Sequence, residues 1–217
     1  MQKTITALTI QKNNPNRVNI FLDGEFTFGL YVINARLLKV GQVISQEKMD
    51  SLKKVDQIED GYQKALKYIS YKPRTKSEVV KKLNENNYDE DIISDVMKML
   101  IEKGYVNDLD YAKNWVENRS IYKPRSKKLI TWELKNKQIS EEIISEVTGD
   151  IMPEEKLANL AAEKYARRLS GYDKEIFIRR LSGYLIRRGF SYSTVNLTVQ
   201  TIWNNLRQQT YENSNGK

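Results

Sequence analysis

The sequence predicts a mainly α-helical protein, an elongated array of three tandem three-helix repeats behind a small N-terminal β-hairpin or sheet. Three observations carry this expectation. First, Tyr71-Lys72-Pro73-Arg74-Thr75-Lys76 returns as Tyr122-Lys123-Pro124-Arg125-Ser126-Lys127, a shift of 51 residues. The same shift carries Asp89-Glu90-Asp91-Ile92-Ile93 onto Ser140-Glu141-Glu142-Ile143-Ile144, and a second one reaches Leu185, Ser191 and Val195. Self-similarity at a fixed period marks a repeat architecture. Second, from Ile58 onward apolar residues recur at three- and four-residue spacing, as in Ile58, Tyr62, Ala65, Leu66 and Ile69. That spacing lines one face of a helix. Third, the start of the chain alternates instead: Val18, Ile20 and Leu22, then Asp23-Gly24, then Glu25-Phe26-Thr27-Phe28. Asp-Gly between alternating runs signals a tight hairpin, because a type I′ turn needs positive φ twice.

The elements follow in order. Residues 1–57 form the β-rich extension. Thr4 to Gln11 has strand-like content, Asn13-Asn14-Pro15-Asn16 is a turn, and the hairpin follows, for about three strands in all. Tyr31 to Leu38 is a short helix with Val32, Ala35 and Leu38 on one side. Val43-Ile44 is extended, and Ser45 caps a helix through Leu52. Residues 58–107 are the first repeat. Thr75 and Glu78 make a capping box for its second helix. Asp89 caps its third helix, and Gly104 stops it. Residues 108–152 are the second repeat, begun at Asp108, with Ser126 and Ser140 as later caps. Residues 153–207 are the third. Pro153 stands at its start, Lys174 to Arg188 is its second helix, and Ser191 caps its last. Phe177 occupies the position where the shift of 51 would place a cap. Residues 208–217 are a polar, disordered tail.

Composition excludes several functions. The chain has no cysteine and no histidine. Disulfides, thiolate nucleophiles, the usual neutral-pH base and the commonest metal ligands are therefore absent. No phosphate-cradling glycine loop or nucleophile elbow is present, so an enzyme is not expected, nor a cofactor. The acidic clusters Asp89-Glu90-Asp91 and Glu141-Glu142 fall in first turns of helices, where negative charge suits the macrodipole better than it suggests a metal site. Tyr111, Trp115 and Trp132 at helical spacing read as core. No apolar run approaches the ~20 residues of a membrane span, and no signal-peptide core opens the chain, so the cytoplasm is the default. Monomer is the default oligomeric state.

What remains is basic. The net charge is +8. The excess lies mostly in the last third, as Arg167-Arg168, Arg179-Arg180 and Arg187-Arg188. Such asymmetry points to a polyanionic or acidic partner. Lys72, Arg74 and Lys76 occupy an inter-helix loop, as do Lys123, Arg125 and Lys127. Free amides at a helix start beside basic side chains make a ready anion site. The alternative is a solvated turn whose proline and cap serve folding alone. Three-helix units also suggest helix-turn-helix folds, but the candidate recognition helix starts acidic at Asp89-Glu90-Asp91, against base reading.

Three runs then point to a family. Gly104-Tyr105-Val106-Asn107-Asp108-Leu109-Asp110-Tyr111-Ala112, the paired Pro-Arg-Ser/Thr turns, and Tyr184-Leu185-Ile186-Arg187-Arg188-Gly189-Phe190 resemble the bacterial RecX family, regulators of RecA recombinase. The resemblance covers about residues 58–206, and the start of the chain looks like the sheet-bearing segment of longer members. It implies a curved, elongated row of three three-helix repeats in the groove of the RecA–single-stranded-DNA filament. It further implies inhibition of recombinase, ATPase and coprotease activity in DNA recombination and repair, with binding to single-stranded and double-stranded DNA. A DNA-binding protein that acts by competing for DNA, or a scaffold for another partner, are the alternative readings.

Overall fold

A computed structural model describes residues 2–215, with side chains from 2 to 207. The chain divides into two units, 1–107 and 108–217. Among the described residues it is mostly helical, with three tandem three-helix domains and a small antiparallel sheet.

In the first unit, strands β1 (Gln2–Gln11), β2 (Asn14–Leu22), β3 (Glu25–Tyr31) and β4 (Val43–Ser45) form one sheet in the order β3-β2-β1-β4. Asp23 (φ 50°) and Gly24 (φ 88°) both take positive φ, as the tight hairpin requires. Two details differ from the sequence expectation. The first turn sits at Lys12-Asn13, and Pro15 lies inside β2 at a break in register between Ile10 and Gln11. Proline has no N–H to donate, so an irregular stretch of strand is where it fits. The segment around Val43 is a true fourth strand, paired with Gln2, Lys3 and Thr4.

Helix α1 is a single turn, Val32–Ala35. Ala35 and Leu38 are buried, whereas Val32 is exposed. The helix expected from Ser45 to Leu52 and the one expected from Ile58 are a single helix, α2 (Gln46–Ser70). No proline or glycine interrupts residues 53–57, so nothing stops propagation. Its first half packs Met49 and Leu52 against the sheet core of Ile5, Ile20, Leu22, Leu30 and Ile44. Its second half places Tyr62 and Ala65 in the next core, with Val79, Leu83, Val96 and Leu100.

Asp56 and Asp60, one turn apart on α2, tie the sheet to that core. Arg17 donates to Asp56 at 2.7 Å and to the Gly29 carbonyl at 3.1 Å. The Tyr31 amide donates to Asp56 at 2.5 Å, and its hydroxyl to Asp60 at 3.1 Å. The Tyr88 hydroxyl and Lys64 complete the set around Asp60. Burial pushes the Asp60 carboxyl up, but hydrogen bonds from Tyr88, Lys64 and Tyr31 outweigh it and hold the group below the usual carboxylate range.

Helices α3 (Lys76–Asn84) and α4 (Glu90–Glu102) complete the first repeat. Both hydrogen bonds of the Thr75–Glu78 capping box form. Asp89 occupies the N-cap of α4, but its side chain makes no capping bond, contrary to expectation. Gly61 lets α4 come close: a Cβ there would lie 3.1 Å from Val96. Gly104 takes φ 72° just beyond α4.

The second unit begins with α5 (Asp108–Glu117), which runs into a π-helical turn, Asn118–Tyr122. Helices α6 (Lys127–Asn136) and α7 (Glu141–Gly149) follow, capped by Ser126 and Ser140. Ala112, Ile130, Leu134, Ile139 and Ile144 are their core. The third repeat comprises α8 (Glu154–Ala166) with a 3₁₀ turn at Arg167–Leu169, then α9 (Lys174–Ile186) and α10 (Tyr192–Asn215). Where the sequence predicts a disordered tail from 208, the backbone of α10 stays helical as far as Asn215, since no proline or glycine interrupts residues 192–215. The last two residues of that tail, 216–217, lie outside the described residues. The α9 cap is Asp173, whose carboxylate accepts from the Ile176 amide at 2.9 Å. Phe177 is therefore free to be a wholly buried core residue. Trp132, expected in the core, is 60% exposed, because the inward positions of α6 are Ile130, Glu133 and Leu134.

Candidate interaction site at the inter-helix turns

The two Tyr-Lys-Pro-Arg turns place their basic residues differently. In the first, Tyr71 and Lys72 are exposed, and Lys76 is the first residue of α3. Arg74 folds back. Its guanidinium lies 3.9 Å over the Tyr68 ring and 3.9 Å from Glu78. In the second, Lys123 is exposed and Lys127 opens α6. Arg125 reaches inward to Glu133.

Glu133 is the centre of the second turn, with a side chain only 9% exposed. It sits on the inner stripe of α6 between Ile130 and Leu134, where an unpaired carboxylate would be strongly unfavourable. Trp115 Nε1–H donates to it at 2.7 Å and Arg119 Nε at 3.0 Å. Arg119 also lies 4.3 Å over the Trp115 ring. The π turn brings Arg119 here: the Lys123 amide donates to the Asn118 carbonyl and the Arg125 amide to the Arg119 carbonyl, both at 2.9 Å. Lys164 Nζ donates to the Ile121 carbonyl at 2.9 Å, placing a cation at the end of that turn.

The third repeat closes the seam. The Ser126 amide donates to the Arg188 carbonyl at 3.0 Å, so the end of α9 meets the start of α6. Gly189 makes this possible. It has φ 83°, and a Cβ there would lie 2.6 Å from Ser126 Oγ and 2.7 Å from Leu129 Cβ. Arg188 lies 4.2 Å over Tyr184, which stacks on Tyr165 at 4.0 Å. Burial, then repulsion from Arg119 and Arg188, pushes the Arg125 guanidinium below its ordinary value. It remains a cation at any physiological pH.

Of the basic residues singled out in the sequence, the structure thus brings Arg125 and Arg188 together. Arg167, Arg168, Arg179 and Arg187 are exposed and form no ion pair among the described residues. Arg180 is held 4.3 Å over Tyr172 and donates to its hydroxyl at 3.2 Å. Sequence reading missed Arg119 and Glu133 as site residues. The available signal was Glu133 itself, a carboxylate between two apolar inward positions.

Fold and seam together define a tandem three-helix-repeat protein with arginines at the junction of its last two repeats. Family models match along the chain in order. Residues 3–45 match the Regulatory protein RecX N-terminal domain. Residues 62–105, 107–147 and 154–198 match the first, second and third three-helix domains of RecX. A regulatory protein RecX of Leuconostoc mesenteroides is 30% identical over 92% of this chain and 76% of its own length. One from Bacillus pumilus is 28% identical over 96% of this chain and 81% of its own. A crystal structure of regulatory protein RecX has TM-score 0.68 and 26% identity, covering 90% of this chain and 98% of that one. RecX from Lactobacillus salivarius has TM-score 0.54 and 29% identity over 68% of this chain and 97% of that one. The chain belongs to the RecX family of regulatory proteins. Among the described residues, no helix is long and apolar enough to cross a membrane.

Proposed function

We propose that this protein binds the RecA–single-stranded-DNA filament and inhibits the recombinase, ATPase and coprotease activities that depend on it. Four RecX domains matched in order along one chain carry the reading. The exposed cations Lys72, Lys76, Lys123, Lys127, Arg167, Arg168, Arg179 and Arg187 are its contact residues toward acidic protein surface or DNA. Arg74, Arg125, Arg180 and Arg188 contribute from positions held by aromatic rings or Glu133. The functional divisions are the extension 1–57 and the repeats 58–107, 108–152 and 153–207.

Titration into preformed RecA filament, with ATP hydrolysis as readout, tests this. Inhibition is expected at concentrations too low to cover the DNA. Charge reversal of Arg179 and Arg187 together should abolish it while leaving the circular dichroism spectrum unchanged. The competing reading is DNA competition, favoured by the net charge of +8. It requires inhibition only as the DNA saturates, and a salt dependence of complex formation unchanged by RecA.

A further inference from the structure

We propose that the seam between the second and third repeats is a phosphate-binding site formed by Arg119, Arg125 and Arg188, with Glu133 as its positioning residue. Three arginines meet there from three elements: Arg119 of the π turn and Arg125 of the Pro-Arg turn both pair with Glu133, and Arg188 just beyond α9 is joined to the Pro-Arg turn through the Ser126 amide at 3.0 Å. Glu133 is the only carboxylate that pairs with them among the described residues. Three positive charges against one negative leave an excess of two in a half-buried place. A structural ion pair needs only charge balance, and surplus charge out of water is unfavourable until an anion arrives.

The donors left over suit that anion. Glu133 takes Nε of Arg119 and Nη1 of Arg125, and Asn118 Oδ1 takes Nη1 of Arg119 at 2.8 Å, which leaves Nη2 of Arg119 for a ligand. Nε of Arg125 and Nε of Arg188 are shielded from solvent and have no hydrogen-bond partner. The Arg125 side chain is nevertheless 28% exposed, so its outer edge is open to a ligand. Arg119 sits over the Trp115 ring at 4.3 Å and Arg188 over the Tyr184 ring at 4.2 Å, so an aromatic ring holds each of the two cations in place. Glu133 already supplies the planar carboxylate that the Arg119–Arg125 pair accommodates. Arginines supplied by three separate elements suit a tetrahedral oxyanion, which offers several acceptor oxygens, better than a second planar carboxylate. The positive end of α6 adds to the same field.

Free phosphate and the phosphodiester backbone of single-stranded DNA share this chemistry. The inference deepens the DNA-facing side of the proposed function and rests on that reading only for the choice of polymer. The test uses the full chain labelled at arginine Nε, with Arg119, Arg125 and Arg188 followed by NMR. Inorganic phosphate should shift all three resonances together, and acetate at equal ionic strength should not. Oligothymidylate should reproduce the shifts, and its uncharged methylphosphonate analogue should not. A response to inorganic phosphate alone would support the site and assign it to the free ion.

Arg188→Gln should weaken phosphate binding about tenfold, and Arg188→Lys should restore part of it. Its oligothymidylate salt slope should be shallower by about 0.7. Lysine keeps charge and length, so it separates lost binding from lost folding. No shift with millimolar phosphate, an equal shift with oligoglutamate, or undiminished binding by Arg188→Gln would overturn the proposal. RecA inhibition by the same variants is scored separately. Phosphate binding lost with inhibition intact keeps the site and removes it from the inhibitory mechanism. Inhibition absent in the unmodified protein defeats the RecA reading and leaves the phosphate result unaffected.

Discussion

The two Tyr-Lys-Pro-Arg turns are nearly the same sequence 51 residues apart, yet their arginines end in different surroundings. Both turns deliver the same cap: Thr75 and Ser126 each accept the amide three residues on, at 3.2 Å. Arg74 lies on Tyr68 beside a distant Glu78, whereas Arg125 joins Arg119, Glu133 and Arg188. The difference comes from positions outside the turn. The shift of 51 carries Tyr68 onto Arg119 and Lys82 onto Glu133. An aromatic platform and a surface lysine in one repeat are thus an arginine and a buried carboxylate in the next. A local motif fixes backbone and cap, while the charge environment of its side chain is set by the helices that meet it.

That contrast can be broken most severely at Gly189. Gly189→Ala adds a Cβ into Ser126 and Leu129 at φ 83°, and strain plus overpacking should destabilise the second unit by about 4 kcal/mol. Gly104→Ala, at φ 72° with open space around it, should cost only about 1 kcal/mol. Urea denaturation of both variants measures the gap; similar losses would mean that the seam is not tightly packed.

Removing each turn's acidic partner comes next. Glu133→Gln leaves Arg119 and Arg125 without a counter-charge and should cost about 3 kcal/mol. Glu78→Gln loosens a part-buried capping box in which the amide can still accept, and an ion pair stretched to 3.9 Å, for about 0.5 kcal/mol. Equal effects in chemical denaturation would refute the distinction drawn between the two turns.

The Asp60 latch gives the first unit an acid sensitivity for which the seam has no counterpart among its arginines. The folded-state pKa of Asp60 is depressed, so its contribution is present above the unfolded value and lost as pH falls through the folded one. Tyr31 and Tyr88 are raised, by burial first and then by Asp60, so their contribution is full below the unfolded tyrosine value and lost as pH rises through the folded ones. Asp60→Asn should cost about 1–2 kcal/mol at neutral pH and flatten the acid limb of stability against pH. An unchanged acid limb would show that other carboxylates govern it. The smallest effect is expected at Trp132: Trp132→Ala should change stability by about 0.5 kcal/mol or less, since the ring is 60% exposed.

Much of the fold was legible because its signals are local. The Asp23-Gly24 turn, the Thr75–Glu78 box, and the Ser126 and Ser140 caps each join groups within a few residues. Errors arose where a non-local partner decided. Trp132 has the residue type of a core position but lies off the inward stripe. Phe177 falls where the period predicts a cap, but α9 starts earlier at Asp173 and frees the position for packing. The helix expected to end at Leu52 continues because nothing breaks it and both of its halves find a core.

By itself, the sequence determined the repeat period, the hairpin, most helix starts and the absence of cysteine and histidine chemistry. The first three rest on backbone preferences and short-range hydrogen bonds, and the last on composition alone. The tertiary structure alone decided which arginines meet. Arg119, Arg125, Glu133 and Arg188 come from four separate stretches, and only the close approach at Gly189 joins the last of them to the others. Charges so far apart in the chain interact appreciably only after packing has brought them within a few ångströms and excluded most of the water between them.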